Sequence, residues 1–126
     1  MGKDQSNLLE DYKAHLIAWN KTHNLISKKQ AQNIEYHIAD CLIISSLLNK
    51  NIVDLGSGGG LPGIPLAITN PNKEFYLIES NAKKSSFLFN TASRLGLENT
   101  FVINKRIENV EIKTLPETFD IVCRAV

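Results

Sequence analysis

The sequence predicts an α/β fold built on an open, doubly wound parallel sheet, and three observations lead there. Short, nearly continuous apolar runs end abruptly at a glycine or an acid, as in Ile52-Val53-Asp54-Leu55 before Gly56 and Phe75-Tyr76-Leu77-Ile78 before Glu79. Such runs are the mark of strands buried on both faces of a parallel sheet. Segments of helical periodicity separate them, giving strand, helix, strand, helix, strand in order. Finally, the first fifty residues are helical in pattern and contain no strand-like run, so they form a layer added in front of the sheet.

Leu8, Leu9, Tyr12, Leu16 and Trp19 recur at three- and four-residue steps and predict an amphipathic helix over 8–20. A polar stretch over 21–33 follows, and a second helix is expected over 31–48, with Ile34, Ile38, Cys41 and Leu48 on one stripe. Ile52 to Leu55 is the first strand. Pro62 to Thr69 is the first crossover helix, where proline near a helix start is comfortable because its missing N–H would be unpaired anyway. Phe75 to Ile78 is the second strand, and Ala82 to Leu95 a helix stopped by Gly96. Thr100 to Ile103 is a third strand, Ile107 to Val110 a short helix or turn, and Phe119 to Cys123 a fourth strand. The division that follows is a helical cap over 1–50 and a Rossmann-like cofactor-binding region over 51–126, within one compact domain.

Composition narrows the class without naming a function. The chain has 126 residues, 43% hydrophobic and 21% charged, with a net charge of +1. That suits an ordinary globular domain and excludes disordered, collagen-like and disulfide-stapled chains. Basic and acidic residues are balanced along the chain, so any polyanion must meet a local patch. Cys41 and Cys123 have no ligand-like spacing and read as buried thiols of a reducing compartment. No apolar run approaches the roughly 20 residues of a membrane span, so no membrane is expected, and a cytoplasmic protein is.

The segment with chemical content is Asp54-Leu55-Gly56-Ser57-Gly58-Gly59-Gly60-Leu61-Pro62-Gly63. Glycines directly after a first parallel strand let the chain turn tightly and let a ligand lie against the backbone. Two ligands use such a turn, a dinucleotide and S-adenosyl-L-methionine. The dinucleotide pattern G-x-G-x-x-G fails from Gly56, because its last position is Leu61, and matches only from Gly58, too late and with Pro62 inside it. Asp54 at the strand end would repel a pyrophosphate and suits a cationic ligand. No Lys-Ser or Lys-Thr pair follows, which excludes a P-loop. Glu79-Ser80 ends the second strand, where an acid accepts the ribose hydroxyls of an adenosine. S-adenosyl-L-methionine is the expected cofactor, with Asp54, the loop residues Gly56, Ser57, Gly58 and Gly60, and Glu79 and Ser80 as its binding residues.

The same residues resemble a known family. Asp54 through Pro65 (DLGSGGGLPGIP), with Leu77 to Ser80 and Lys83-Lys84, is similar to the bacterial small-subunit ribosomal RNA guanine-N7 methyltransferases, historically called glucose-inhibited division protein B. Trp19-Asn20-Lys21, Asn24-Leu25 and His37-x-x-Asp40 extend the likeness upstream, and Arg106-Ile107-Glu108 and Arg124-Ala125 extend it downstream. The resemblance implies a Rossmann-like S-adenosylmethionine-dependent methyltransferase fold with N-terminal helices. It also implies that the chain carries only the first strands of a longer sheet. By the same resemblance Gly56 and Leu61 would be cofactor-loop contacts, Ile107 and Glu108 would flank the adenine, Arg124 would be a catalytic residue also touching the cofactor, and His37 and Asp40 would lie on the substrate side. The implied substrate is guanine N7 in 16S rRNA of the small ribosomal subunit, with the protein a monomer. A methyltransferase for a small molecule or protein, and a shortened chain that binds the cofactor without activity, are the alternatives. An NAD-binding module is disfavoured by Asp54 and by the frame of the glycines.

Overall fold

The computed structural model describes residues 4–123. Helix α1 (Gln5–His23) leads, followed by a short α2 (Lys28–Gln32), α3 (Ile34–Ile43) and a 3-10 turn over Ile44–Leu47. Strand β1 (Asn51–Leu55), helix α4 (Gly63–Thr69), strand β2 (Glu74–Ile78), helix α5 (Ala82–Leu95) and strand β3 (Thr100–Ile103) then alternate. Two 3-10 turns, Ile107–Asn109 and Ile112–Thr114, precede strand β4 (Asp120–Val122). The sheet order is β3-β2-β1-β4 with every pairing parallel. The expected α/β class and strand order are therefore present, and α5 and β3 have the expected bounds.

The first helix is longer than its apolar stripe suggests, ending at Asn24 in a left-handed conformation whose N–H bonds the carbonyl of Asn20. The expected second helix over 31–48 is not continuous. Ser27 and Gln30 form a reciprocal capping box that starts α2 inside the polar stretch, and Asn33, at φ −115° and ψ 29°, separates α2 from α3. The last residues of the stripe then tighten into the 3-10 turn.

Two successive steps in one direction, from β1 to β2 to β3, put α4 and α5 on the same face of the sheet when both crossovers have the usual right hand. Helix α1 packs against both of them, and α3 against α4. The resulting core joins Ile52, Phe75 and Leu77 of the sheet to Ile64, Leu66, Phe87 and Leu88 of the crossovers and to Tyr12 and Leu16 of α1. Tyr12 and Leu16 have no exposed surface at all, so α1 is part of the core and not merely a lid on it. The opposite sheet face carries the row Ile121, Val53, Tyr76 and Phe101 in register, with Phe101 41% and Ile121 59% exposed. Cys41 is buried as expected. Cys123 is exposed, contrary to the reading of both thiols as buried, because it follows edge strand β4, whose own residues are only half-buried or exposed. Among the described residues, no helix is long and apolar enough to cross a membrane.

Candidate functional site

The carboxyl ends of β1 and β2 carry the site, and the glycine segment is its centre. Gly56 continues β1 by donating its N–H to the Ile78 carbonyl at 2.8 Å, then turns the chain at φ 70°. Gly58 and Gly60 also have positive φ, and the Gly60 N–H closes the turn on the Ser57 carbonyl at 2.7 Å. A Cβ on Gly56 would meet nothing within 4 Å, so its backbone faces open space. Farther along, the loop is packed. Tyr12 donates its hydroxyl to the Gly59 carbonyl at 2.6 Å, and a Cβ on Gly59 would fall 2.8 Å from Ile26 and 3.1 Å from Leu16.

Two clefts flank this turn and share Gly56. One, of about 440 Å³, is bounded by Leu55, Ile78, Ser80, Arg106, Ile107 and Glu108. The other, of about 690 Å³, lies between the loop, from Gly56 to Leu61, and the ends of α1 and α2. The expected residues Gly56, Ser80, Ile107 and Glu108 thus meet in the first cleft, and Gly56, Ser57, Gly58 and Leu61 line the second. His37, half-buried, and Asp40, exposed, lie on α3 and line neither. Arg124 is outside the described residues.

The two acids hold the loop from below. Glu79, 7% exposed, accepts the Gly58 N–H on Oε1 at 2.8 Å and the Asn81 N–H on Oε2 at 2.9 Å. Asn104 braces the same turn by donating its side-chain amide to the Glu79 carbonyl at 2.9 Å. A carboxylate has about four acceptor positions, so Glu79 can take further hydroxyl donors while it holds Gly58. Asp54 is fully buried and accepts the Gly63 N–H on Oδ2 at 3.0 Å, at the start of α4. Its Oδ1 has no hydrogen-bond partner. Burial pushes its carboxyl up to about 7, the Ser57 hydroxyl and Gly63 amide partly oppose this, and the charge of Glu79 adds to it. Asp54 lines neither cleft; it ties the strand end to the helix that follows. Period-two alternation carries the signal for this, since Asp54 shares its sheet face with Ile52, on the side the helices cover. The Tyr12 contact has no comparable signal beyond a tyrosine on an apolar stripe.

Does this arrangement fit an adenosyl ligand? Open backbone at Gly56 and apolar side chains from Leu55, Ile78 and Ile107 are what an adenine needs. The expected residues Gly60 and Glu79 line neither cleft; Glu79 directly follows Ile78 and keeps acceptor positions that a ribose could use. Among the described residues, no cluster of histidine, cysteine or acidic side chains is arranged to hold a metal ion.

The fold is that of the Rossmann-like methyltransferases. Two solved structures share the architecture: a precorrin-6y C5,15-methyltransferase from Geobacter metallireducens GS-15, at TM-score 0.60 and 17% identity, covers 81% of this chain and 50% of its own. A cofactor-bound protein, Rv0187 from MTB, aligns at TM-score 0.62 and 20% identity over 98% of this chain and 54% of its own. The sequence is more specific, because residues 5–126 match the family described as rRNA small subunit methyltransferase G, or GidB, and the chain belongs to that family. The ribosomal RNA small subunit methyltransferase G of Nitrosococcus oceani is 44% identical over 110 residues, covering 86% of this chain and 51% of that protein. That of Syntrophomonas wolfei is 42% identical over 123 residues, covering 94% and 58%. The chain therefore spans about half the length of the curated relatives it matches.

Proposed function

We infer that this chain carries the cofactor-binding part of an S-adenosyl-L-methionine-dependent methyltransferase that methylates guanine N7 in 16S rRNA of the small ribosomal subunit. The observation that carries this reading is the turn at Gly56, open to a cleft on each side and held by Glu79, in a chain of the GidB family. The cofactor supplies an electrophilic methyl group on a sulfonium. Gly56 offers bare backbone against it, Leu55, Ile78 and Ile107 exclude water from the adenine side, and Glu79 accepts ribose hydroxyls. Guanine N7 has a free lone pair and no proton to lose, so the reaction asks for position and not for a general base. Holding donor and acceptor in line is worth up to roughly 7–11 kcal/mol of barrier. Arg124 takes the role of the arginine near the transferred methyl group, and His37 and Asp40 act from the substrate side. The protein works as a monomer in the bacterial cytoplasm.

The test is thermal unfolding and calorimetric titration with S-adenosylhomocysteine, followed by transfer of labelled methyl to small ribosomal subunits lacking the modification. Ligand at 100 times its dissociation constant should stabilise the chain by about 2.7 kcal/mol, and label should enter 16S rRNA at guanine N7. Binding without transfer to RNA identifies a cofactor-binding chain only, and the absence of binding sinks the reading.

A further inference from the structure

The cleft between the glycine loop and the N-terminal helices has a charge that the adenosyl reading does not use. Three lysines line it, Lys21 near the end of α1, Lys28 at the start of α2 and Lys84 in the first turn of α5, and no acid does. This is a local excess of three positive charges in a chain whose net charge is +1. Among the described residues none of the three is paired with a carboxylate, whereas Lys13 and Lys113 are. Lys84 also stands where the helix dipole disfavours a cation, since the first turn of α5 contains no acid to offset it. A cleft lined by three cations and no acid is complementary in charge to an anionic occupant.

The wall is also rigid. Asn20 accepts the Ile26 N–H at 2.8 Å, Asn24 turns the chain in a left-handed conformation, and the Ser27–Gln30 capping box fixes the start of α2. Leu25 and Ile26 lie against Gly59, so Lys21 and Lys28 are carried on a segment seated directly on the glycine loop. Lys84 is anchored from the other side through its backbone N–H, which donates to the Asn81 cap at 3.0 Å. The cleft shares Gly56 with the adenosine-side cleft and lies on the side of the loop that the ends of α1 and α2 cover.

We propose that this cleft is the seat of the RNA strand, with Lys21, Lys28 and Lys84 gripping the phosphates that flank the target base. The inference rests on the methyltransferase reading and deepens it, by naming which residues engage the substrate. Lysines suit the task because a phosphate backbone is met by compact positive charges without base recognition. Phosphates neutralised at three points release counterions, which makes binding salt-dependent, with a slope of about 0.7 per contact for single strands. An RNA strand is favoured over the cofactor's own carboxylate because one carboxylate cannot occupy three lysines spread over separate helices around about 690 Å³.

The experiment uses the 126-residue chain, a 16S rRNA transcript and a series of salt concentrations, comparing the wild type with K21Q/K28Q/K84Q. A control, K29Q/K50Q/K113Q, removes the same charge from lysines that do not line the cleft. The cleft variant should bind RNA at least tenfold more weakly at low salt and lose about two from the slope of log K against log salt. Its affinity for S-adenosylhomocysteine should stay within twofold of wild type, and the control should keep nearly the whole slope. Equal losses in the control and cleft variants overturn the inference, because bulk charge would then account for binding. A cleft variant that loses S-adenosylhomocysteine but keeps RNA also overturns it and assigns the lysines to the cofactor. A wild-type chain that binds S-adenosylhomocysteine yet shows no salt-dependent affinity for RNA overturns it too, while the cofactor reading stands.

Discussion

The two halves of the glycine segment use the same residue for opposite reasons. Gly56 has open space around it and needs glycine for its φ of 70°. Gly59 and Gly63 are not among the positive-φ glycines and need glycine for room. A Cβ would meet Ile26 at 2.8 Å in the first case and Leu77 and Asp54 at 2.5 and 2.6 Å in the second. The first half leaves its backbone open to the clefts and the second is packed into the core. What separates them is the N-terminal layer, since Tyr12, Leu16, Leu25 and Ile26 press on Gly59 and Gly60 and not on Gly56. A glycine motif read as one binding signature is thus two devices joined end to end, and each can be broken without the other.

The largest effect is expected beneath the packed half, at Asp54. Its folded-state carboxyl is pushed up to about 7 from the ordinary aspartate value of 3.8. The folded chain therefore holds a proton that the unfolded chain has already lost between those values. Stability is greatest at the acidic end of the window and declines as pH rises from about 4 through 7, by roughly 4 kcal/mol at most. Asp54→Asn keeps an acceptor for the Gly63 N–H and removes the titration, so urea melts at pH 5 and pH 8 should differ much less for this variant than for the wild type. An unchanged pH dependence in Asp54→Asn would show that another group is responsible.

Next in size is Gly59→Ala, which should destabilise the chain by about 1–3 kcal/mol through overpacking against Ile26 and Leu16. The comparison sharpens in a double-mutant cycle with Ile26→Ala, whose truncation removes the atom in the way. The two changes together should cost less than the sum of their separate costs. Simple additivity would mean that the N-terminal layer does not bear on the loop.

How much of this was legible in the sequence follows the same division. The strand–helix alternation after Asn51 is readable because its apolar runs are closed by Gly56, Glu79 and Gly96, punctuation that acts locally. The glycine turn and the acid at Glu79 are readable for the same reason. The break at Asn33 is hidden, since the apolar stripe continues through it and only the Ser27–Gln30 capping box, two side chains reaching for each other, shows that a separate helix begins. The exposure of Cys123 is hidden because burial on an edge strand depends on what lies beside it. The placement of Asp54 under the loop was readable from its parity with Ile52, but an acid at a strand end invites a ligand role first. The grip of Tyr12 on Gly59 joins residues 47 apart in sequence and has no local signature.

The smallest change in stability, and the most informative contrast, belongs to Gly56→Ala. A non-glycine residue at φ 70° costs about 1–2 kcal/mol in a left-handed conformation, and the new methyl meets nothing within 4 Å that would add to that. The variant should therefore melt only a few degrees below the wild type and bury the same core. Its methyl, however, projects into the space that two clefts share, so S-adenosylhomocysteine should bind at least tenfold more weakly by calorimetric titration. Gly59→Ala should show the reverse pattern, with the larger loss of stability and the smaller loss of affinity once both are compared well below their melting temperatures. If Gly56→Ala kept full affinity, the open half of the loop would not be where the ligand lies, and the division drawn between the two halves would fail.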